Sequence, residues 1–200
     1  NGGTGWAGPW YNGTYSNAAP SLSYPGVPAT GGRAVALPNS VQARRPIHPS
    51  VFAPPAPGTL PTKYFSVLMR ADGALNGWCA IDLVGTAGRA LSIGKPFGGQ
   101  TGMYVLENGP QQTASTHAVV SGSNVLLVVK CEFFNGNDRF TLYINPVPGE
   151  PPPAPAVVKF DHDVGTTFTN LMISSSIACS IDELRVGDTF AEVVPAPCPP

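Results

Sequence analysis

From Val125 to Ile144 the chain reads as two β-strands and the turn between them, and few folds accommodate that passage. In Val125-Leu-Leu-Val-Val-Lys-Cys-Glu-Phe133, the side chains of Val125, Leu127, Val129, Cys131 and Phe133 share one face, while Lys130 and Glu132 point the other way. Asn135-Gly-Asn-Asp138 has the composition of a hairpin loop. Asn137-Asp-Arg-Phe-Thr-Leu-Tyr-Ile-Asn-Pro146 continues as an alternating strand, and Ser180-Ile-Asp-Glu-Leu-Arg-Val-Gly187 supplies a closing one.

Further short β-rich runs are bounded by Gly, Asn or Pro: Arg33–Leu37, Tyr64–Arg70, Gly77–Val84, Ala90–Gly94, Met103–Glu107 and His117–Val120. Val157–Phe160, Asn170–Ser174 and a trailing Phe190–Val194 follow. With 23 Gly and 23 Pro against 11 Lys and Arg and 12 Asp and Glu, long exposed helices are disfavoured. Nothing repeats at a fixed period. The expected architecture is all-β, a two-sheet antiparallel β-sandwich with Greek-key or jelly-roll connectivity. Residues 1–200 are expected to form a single sandwich domain with three proline-rich parts: an extended segment over 19–62, a loop over 146–156 and a tail over 195–200. Within the first of these, Arg44-Arg45-Pro-Ile-His48 reads as a solvated basic loop.

The net charge of −1 gives no electrostatic footprint for nucleic acid. No apolar run approaches the roughly 20 residues that span a bilayer, so membrane insertion is not expected. The chain begins at Asn1 with no Met or signal-like segment, which is expected of a processed product.

Cys79, Cys131, Cys179 and Cys198 lack the close spacing of a zinc site, and an even count suits an oxidising compartment. Cys79 shares a face with Ile81 and Leu83, and Cys131 with the apolar face of its own strand, so both are expected to face the core. A Cys79–Cys131 bridge is the expected pairing, with Cys179–Cys198 stapling the tail. Buried free thiols are the alternative, because connectivity is not written in the sequence.

Trp6, Trp10, Tyr11 and Tyr15 lie among glycines at the start of the chain. Their rings suit stacking on sugars, or equally laying a loop along the edge of the core. Asn12-Gly-Thr14 is a glycosylation sequon. Asp161-His-Asp163, with Asp138 in the hairpin loop, could supply oxygen ligands for calcium, the alternative being a solvated turn. Glycoside hydrolysis needs two carboxylates flanking the sugar bond. Asp182 and Glu183 are adjacent and so face opposite ways, and no Gly-x-Ser-x-Gly nucleophile motif is present. Catalysis is not expected. Asp182, Glu183 and Arg185 read instead as an ion-pair set on the last strand.

Gly2-Gly-Thr-Gly-Trp-Ala-Gly-Pro-Trp10, Tyr64-Phe-Ser-Val-Leu-Met-Arg70, Ser92-Ile-Gly-Lys95, Asn137–Pro146 and Ile181-Asp-Glu-Leu-Arg-Val-Gly-Asp-Thr-Phe190 occur in that order. Together they resemble the laminin-G-like, concanavalin-like jelly-roll domains of secreted and surface proteins of environmental bacteria. That resemblance implies two antiparallel sheets, an extracellular location and adhesion, glycan-binding or architectural roles; some such domains bind calcium. The chain departs from the pattern in lacking a strand before the Gly-Gly-Thr-Gly-Trp segment. Either an open edge is left for a partner's strand, or the start is a processing boundary.

Two functions follow as expectations. The first is a self-associating, non-catalytic extracellular subunit of a surface assembly or filament, its partner being a second copy. The alternative is a carbohydrate-binding or adhesion module whose partners are extracellular glycans.

Overall fold

The alternating runs become thirteen strands in a computed structural model that describes residues 5–13, 15–29, 31–36, 41–54, 56, 58–86, 88–95, 102–165 and 167–197. In chain order these are β1 (Tyr15–Ala18), β2 (Arg33–Ala36), β3 (Val41–Pro46), β4 (Thr62–Ala71), β5 (Cys79–Gly85) and β6 (Gly88–Lys95). There follow β7 (Met103–Asn108), β8 (Gln111–Ala118), β9 (Val125–Glu132), β10 (Asp138–Ile144), β11 (Val157–His162), β12 (Asn170–Ser175) and β13 (Cys179–Gly187), and then a short helix α1 (Phe190–Val193). A seven-stranded sheet runs β1-β2-β13-β4-β9-β10-β11, and a six-stranded sheet runs β3-β12-β5-β6-β7-β8. Every paired neighbour is antiparallel. The all-β, two-sheet antiparallel sandwich is the fold of this chain.

The inner faces carry one apolar core. Phe65, Val67, Leu127, Val129 and Phe140 from the seven-stranded sheet meet Ile81, Leu83, Leu91, Leu106, Leu171 and Ile173 from the six-stranded one. Phe52, Phe65, Phe133 and Phe168 pack ring against ring in this core, with centroids 5.6–6.3 Å apart. Each such side chain, fully buried, contributes roughly 1.5–3 kcal/mol.

The seven-stranded sheet is apolar on its outer face as well. Leu68, Leu126, Val128 and Tyr143 there are covered by Leu22 and by Phe190, Val193 and Val194 at α1. This explains the unbroken apolar run Val125–Val129, since a strand buried on both faces loses its alternation. It also corrects the expectation of a trailing strand at Phe190–Val194. Thr189 Oγ1 accepts from the Glu192 amide while Glu192 reaches back to the Thr189 amide, a capping box that starts a helix.

The proline-rich stretch 19–62 is more ordered than expected. Besides β2, which answers the run expected at Arg33–Leu37, it holds β3 and a 3-10 turn at Pro49–Phe52, and its basic spot Arg44-Arg45 lies within β3 rather than in a loop. The strand expected at His117–Val120 is instead β8, ending at Ala118.

The cysteines are arranged differently from the expected pairing. Cys131 lies opposite Lys63 and Cys179 opposite Ala71, at the two ends of β4. At about 3.3 Å per residue that separates them by roughly 26 Å. Cys79 sits at the Cys179 end, where the two thiols share a hydrogen bond. A Cys79–Cys131 bridge is therefore sterically impossible. Cys79, Cys131 and Cys179 are all free and buried, and Cys198 lies outside the described residues.

Candidate functional site

Strand alternation puts Ile81 and Leu83, and Leu171 and Ile173, into the core, so Asp82, Asn170, Met172 and Ser174 must face outward. The pairing registers extend this into one transverse row across the outer face of the six-stranded sheet. Arg44 lies opposite Met172, Met172 opposite Asp82, Asp82 opposite Ser92, Ser92 opposite Glu107 and Glu107 opposite Gln112. Met172, Asp82 and Ser92 in the middle are buried, while Arg44, Glu107 and Gln112 at the ends are half-buried. Gln112 Nε2 donates to Glu107 Oε2 at 2.8 Å, and Trp78 Nε1 donates to Ser174 Oγ at 3.0 Å.

The β3 end of this row is where the N-terminal aromatic segment docks. Tyr11 exchanges two backbone hydrogen bonds with Arg44, both 2.8 Å. Its phenol donates to Asn170 Oδ1 at 2.9 Å, and Asn170 Nδ2 donates to Thr169 Oγ1 at 3.1 Å. The ring stays 42% exposed beside the half-buried Arg44 and the exposed Gln42. An exposed aromatic ring, paired through its backbone with an arginine and through its hydroxyl with an asparagine, has been assembled from three distant parts of the chain.

The other three aromatic candidates are spent on packing. Trp6, Trp10 and Tyr15 lie half-buried against the core. The Arg45 guanidinium sits 4.4 Å over the Trp6 ring, with its Nε donating to the Gly8 carbonyl at 3.3 Å. Trp10 meets Tyr15 edge-on at 5.9 Å. Asn12 is exposed in a left-handed turn (φ 52°), while Thr14 of its sequon lies outside the described residues.

The calcium candidates each serve a neighbour. Asp161 grips the Lys159 ammonium at 2.8 and 2.9 Å, and Asp163 Oδ1 accepts from the Gly165 amide at 2.8 Å. Asp138 accepts from the amides of Phe134 (2.9 Å) and Val164 (2.8 Å), and burial pushes its carboxyl above the usual range. Among the described residues no three His, Cys, Asp or Glu side chains converge as a metal would need.

The set on the last strand also separates. Arg185 pairs with Glu183 at 2.8 Å, whereas Asp182 accepts from the Leu22 amide at 2.8 Å and is raised by burial. A cavity of about 440 Å³ lies at one end of the sandwich, lined by Gly5, Val51, Lys63, Gly187 and Glu192 among others. Its charges are matched internally: Lys63 pairs with Asp188, and Glu192 accepts from the amides of Asp188 (2.6 Å) and Thr189 (3.1 Å).

Sequence reasoning missed Arg44 and Asn170 as partners of Tyr11. Nothing local marks them, because the contact with Asn170 joins positions 159 residues apart.

No family model matches the chain, and no curated protein does. Solved structures do. A botulinum neurotoxin type C structure superposes with a TM-score of 0.51 at 13% identity, over 90% of this chain and 44% of that one. Carbohydrate-binding module CBM66 from Bacillus subtilis gives a TM-score of 0.48 at 10% identity, over 88% of this chain and 94% of its own. A bifunctional GH43-CE protein from Bacteroides eggerthii gives 0.46 at 16% identity, over 76% of this chain and 20% of that one. This chain thus spans about a fifth of the GH43-CE protein and under half of the neurotoxin chain. At these identities the likeness is one of fold.

Proposed function

We propose that this chain is a non-catalytic, extracellular glycan-binding β-sandwich module whose binding edge is Tyr11, Arg44 and Asn170. One observation carries the reading: the 42%-exposed Tyr11 ring is held in place by Asn170 next to a half-buried arginine. A sugar presents an apolar C–H face and a rim of hydroxyls. A fixed aromatic face with neighbouring guanidinium and amide groups matches both. Cell entry of botulinum neurotoxin type C, one of the proteins of like fold, is dependent upon interaction with two ganglioside molecules.

The test is a glycan array followed by titration calorimetry on the bound oligosaccharides, with Tyr11→Ala and Arg44→Ala beside a Phe160→Ala control. Loss of binding in the first two alone supports the site. Equal binding by Tyr11→Ala, or no glycan bound by the parent protein, rejects it.

A second reading is a self-associating subunit of a surface assembly. It is favoured by β11, an edge strand whose outer residues Val158 and Phe160 are about half exposed. Edge strands with apolar faces are templates for pairing with another chain. Light scattering across a concentration series separates the two readings, a constant monomer mass eliminating the second.

A further inference from the structure

The geometry points to a disulfide between Cys79 and Cys179 that joins the two sheets through the core, a modification independent of the glycan reading. Cys79 opens β5 of the six-stranded sheet and Cys179 opens β13 of the seven-stranded sheet, both wholly buried. The short crossing from β12 to β13 brings them together. Ser176 N donates to the Trp78 carbonyl at 3.0 Å, and Asp72 N donates to the Ala178 carbonyl at 2.8 Å. Trp78, the residue before Cys79, is thereby held to one end of the turn, while Ala178, the residue before Cys179, is the turn's other end and is held to Asp72. Ser175 Oγ donates to the Trp78 carbonyl at 3.2 Å and so fixes the turn again on the Cys79 side.

The two thiols hydrogen-bond each other, which raises Cys79 and lowers Cys179 from the ordinary thiol value. Cys131 has no such neighbour: its thiol is pushed up by burial, with Asp138 and Glu132 adding to the effect.

The oxidant is a small-molecule disulfide such as oxidised glutathione. One protein thiolate attacks it, forming a mixed disulfide and releasing one thiol. The second protein thiol, losing its proton, then displaces the other half. One S–S bond breaks, one forms, and the two protons leave on two molecules of small thiol. Because both sulfurs are buried, exchange takes place as the chain folds rather than after.

The full chain is reduced, unfolded and refolded in mixed oxidised and reduced glutathione. Remaining thiols are alkylated in denaturant, and the protein is digested without reduction for mass spectrometry. The expected result is a linked Cys79–Cys179 peptide pair with Cys131 alkylated. The urea midpoint should fall on adding dithiothreitol, because the bridge closes a loop of about 100 residues. Cys131→Ser should keep both results, and the double variant Cys79→Ser with Cys179→Ser should lose the dithiothreitol-dependent shift. The proposal is overturned if both thiols of the refolded protein are found alkylated after denaturation, if either is linked to Cys131, Cys198 or glutathione only, or if reduction leaves the midpoint unmoved.

Discussion

The Tyr11 phenol donates to Asn170 Oδ1 at 2.9 Å, tying the N-terminal segment to β12 and fixing an exposed ring at the edge of the six-stranded sheet. Because the ring is open, its removal should cost recognition more than folding. Tyr11→Ala is expected to weaken glycan binding about tenfold or more, roughly 1.4 kcal/mol, with a melting temperature close to that of the parent. Trp6→Ala should do the reverse. It removes a half-buried ring stacked on Arg45 and should cost about 1–3 kcal/mol of stability. Calorimetric titration and thermal melts on the two variants distinguish these roles.

The Lys159 side chain is fully buried while its partner Asp161 is 47% exposed. Removing the acid strands a buried ammonium, with the Gln111 carbonyl at 3.5 Å as its other polar contact. Asp161→Ala should therefore cost about 1–3 kcal/mol, whereas Lys159→Met, which keeps the apolar stem, should cost under about 1. Urea midpoints of the two variants check the asymmetry. With this acid committed to the lysine, millimolar calcium should leave the melting temperature of the parent protein unchanged.

Burial, and secondarily Cys79, push the Tyr104 phenol from 10.0 up to about 12. Folding thus favours the protonated phenol. The stability this contributes is complete below pH 10 and is lost as the pH rises from 10 towards 12. Each pH step of one across that window removes about 1.4 kcal/mol, so the whole loss approaches roughly 2–3 kcal/mol. Tyr104→Phe should flatten the stability curve over the same range, measured by urea unfolding at successive alkaline pH values.

Gly94 faces Ala80 across β5 and β6 at φ 145°, where an added Cβ would lie 2.5 Å from the Cys79 carbonyl oxygen. That contact is with backbone and cannot be relieved by a rotamer change. Gly94→Ala is expected to cost at least about 2 kcal/mol, read from its thermal melt against the parent protein.

Most of the sandwich was legible in the chain. Tyr64–Arg70, Val125–Phe133, Asn137–Pro146 and Asn170–Ser174 each lie within a residue or two of an observed strand, because alternating or fully apolar runs between turn residues are a local signal. β3 was missed because Gln42, Arg44, Arg45 and Pro46 carry no apolar pattern; it is a strand because β12 pairs with it from far along the chain. The capping box Thr189-Phe-Ala-Glu192 was a readable helix signal, hidden by the apolar character of Phe190–Val194.

A side-chain period of two determines which face of its strand a residue occupies, and so the sequence by itself placed Cys79 and Cys131 in the core and identified the all-β architecture. It does not determine which strand lies alongside, since that depends on contacts closed over long loops. Only the tertiary structure could set Cys79 against Cys179 rather than Cys131. Only it could leave Tyr11 open while Trp6, Trp10 and Tyr15 turned to the core, and bring Arg44 and Asn170 to its side.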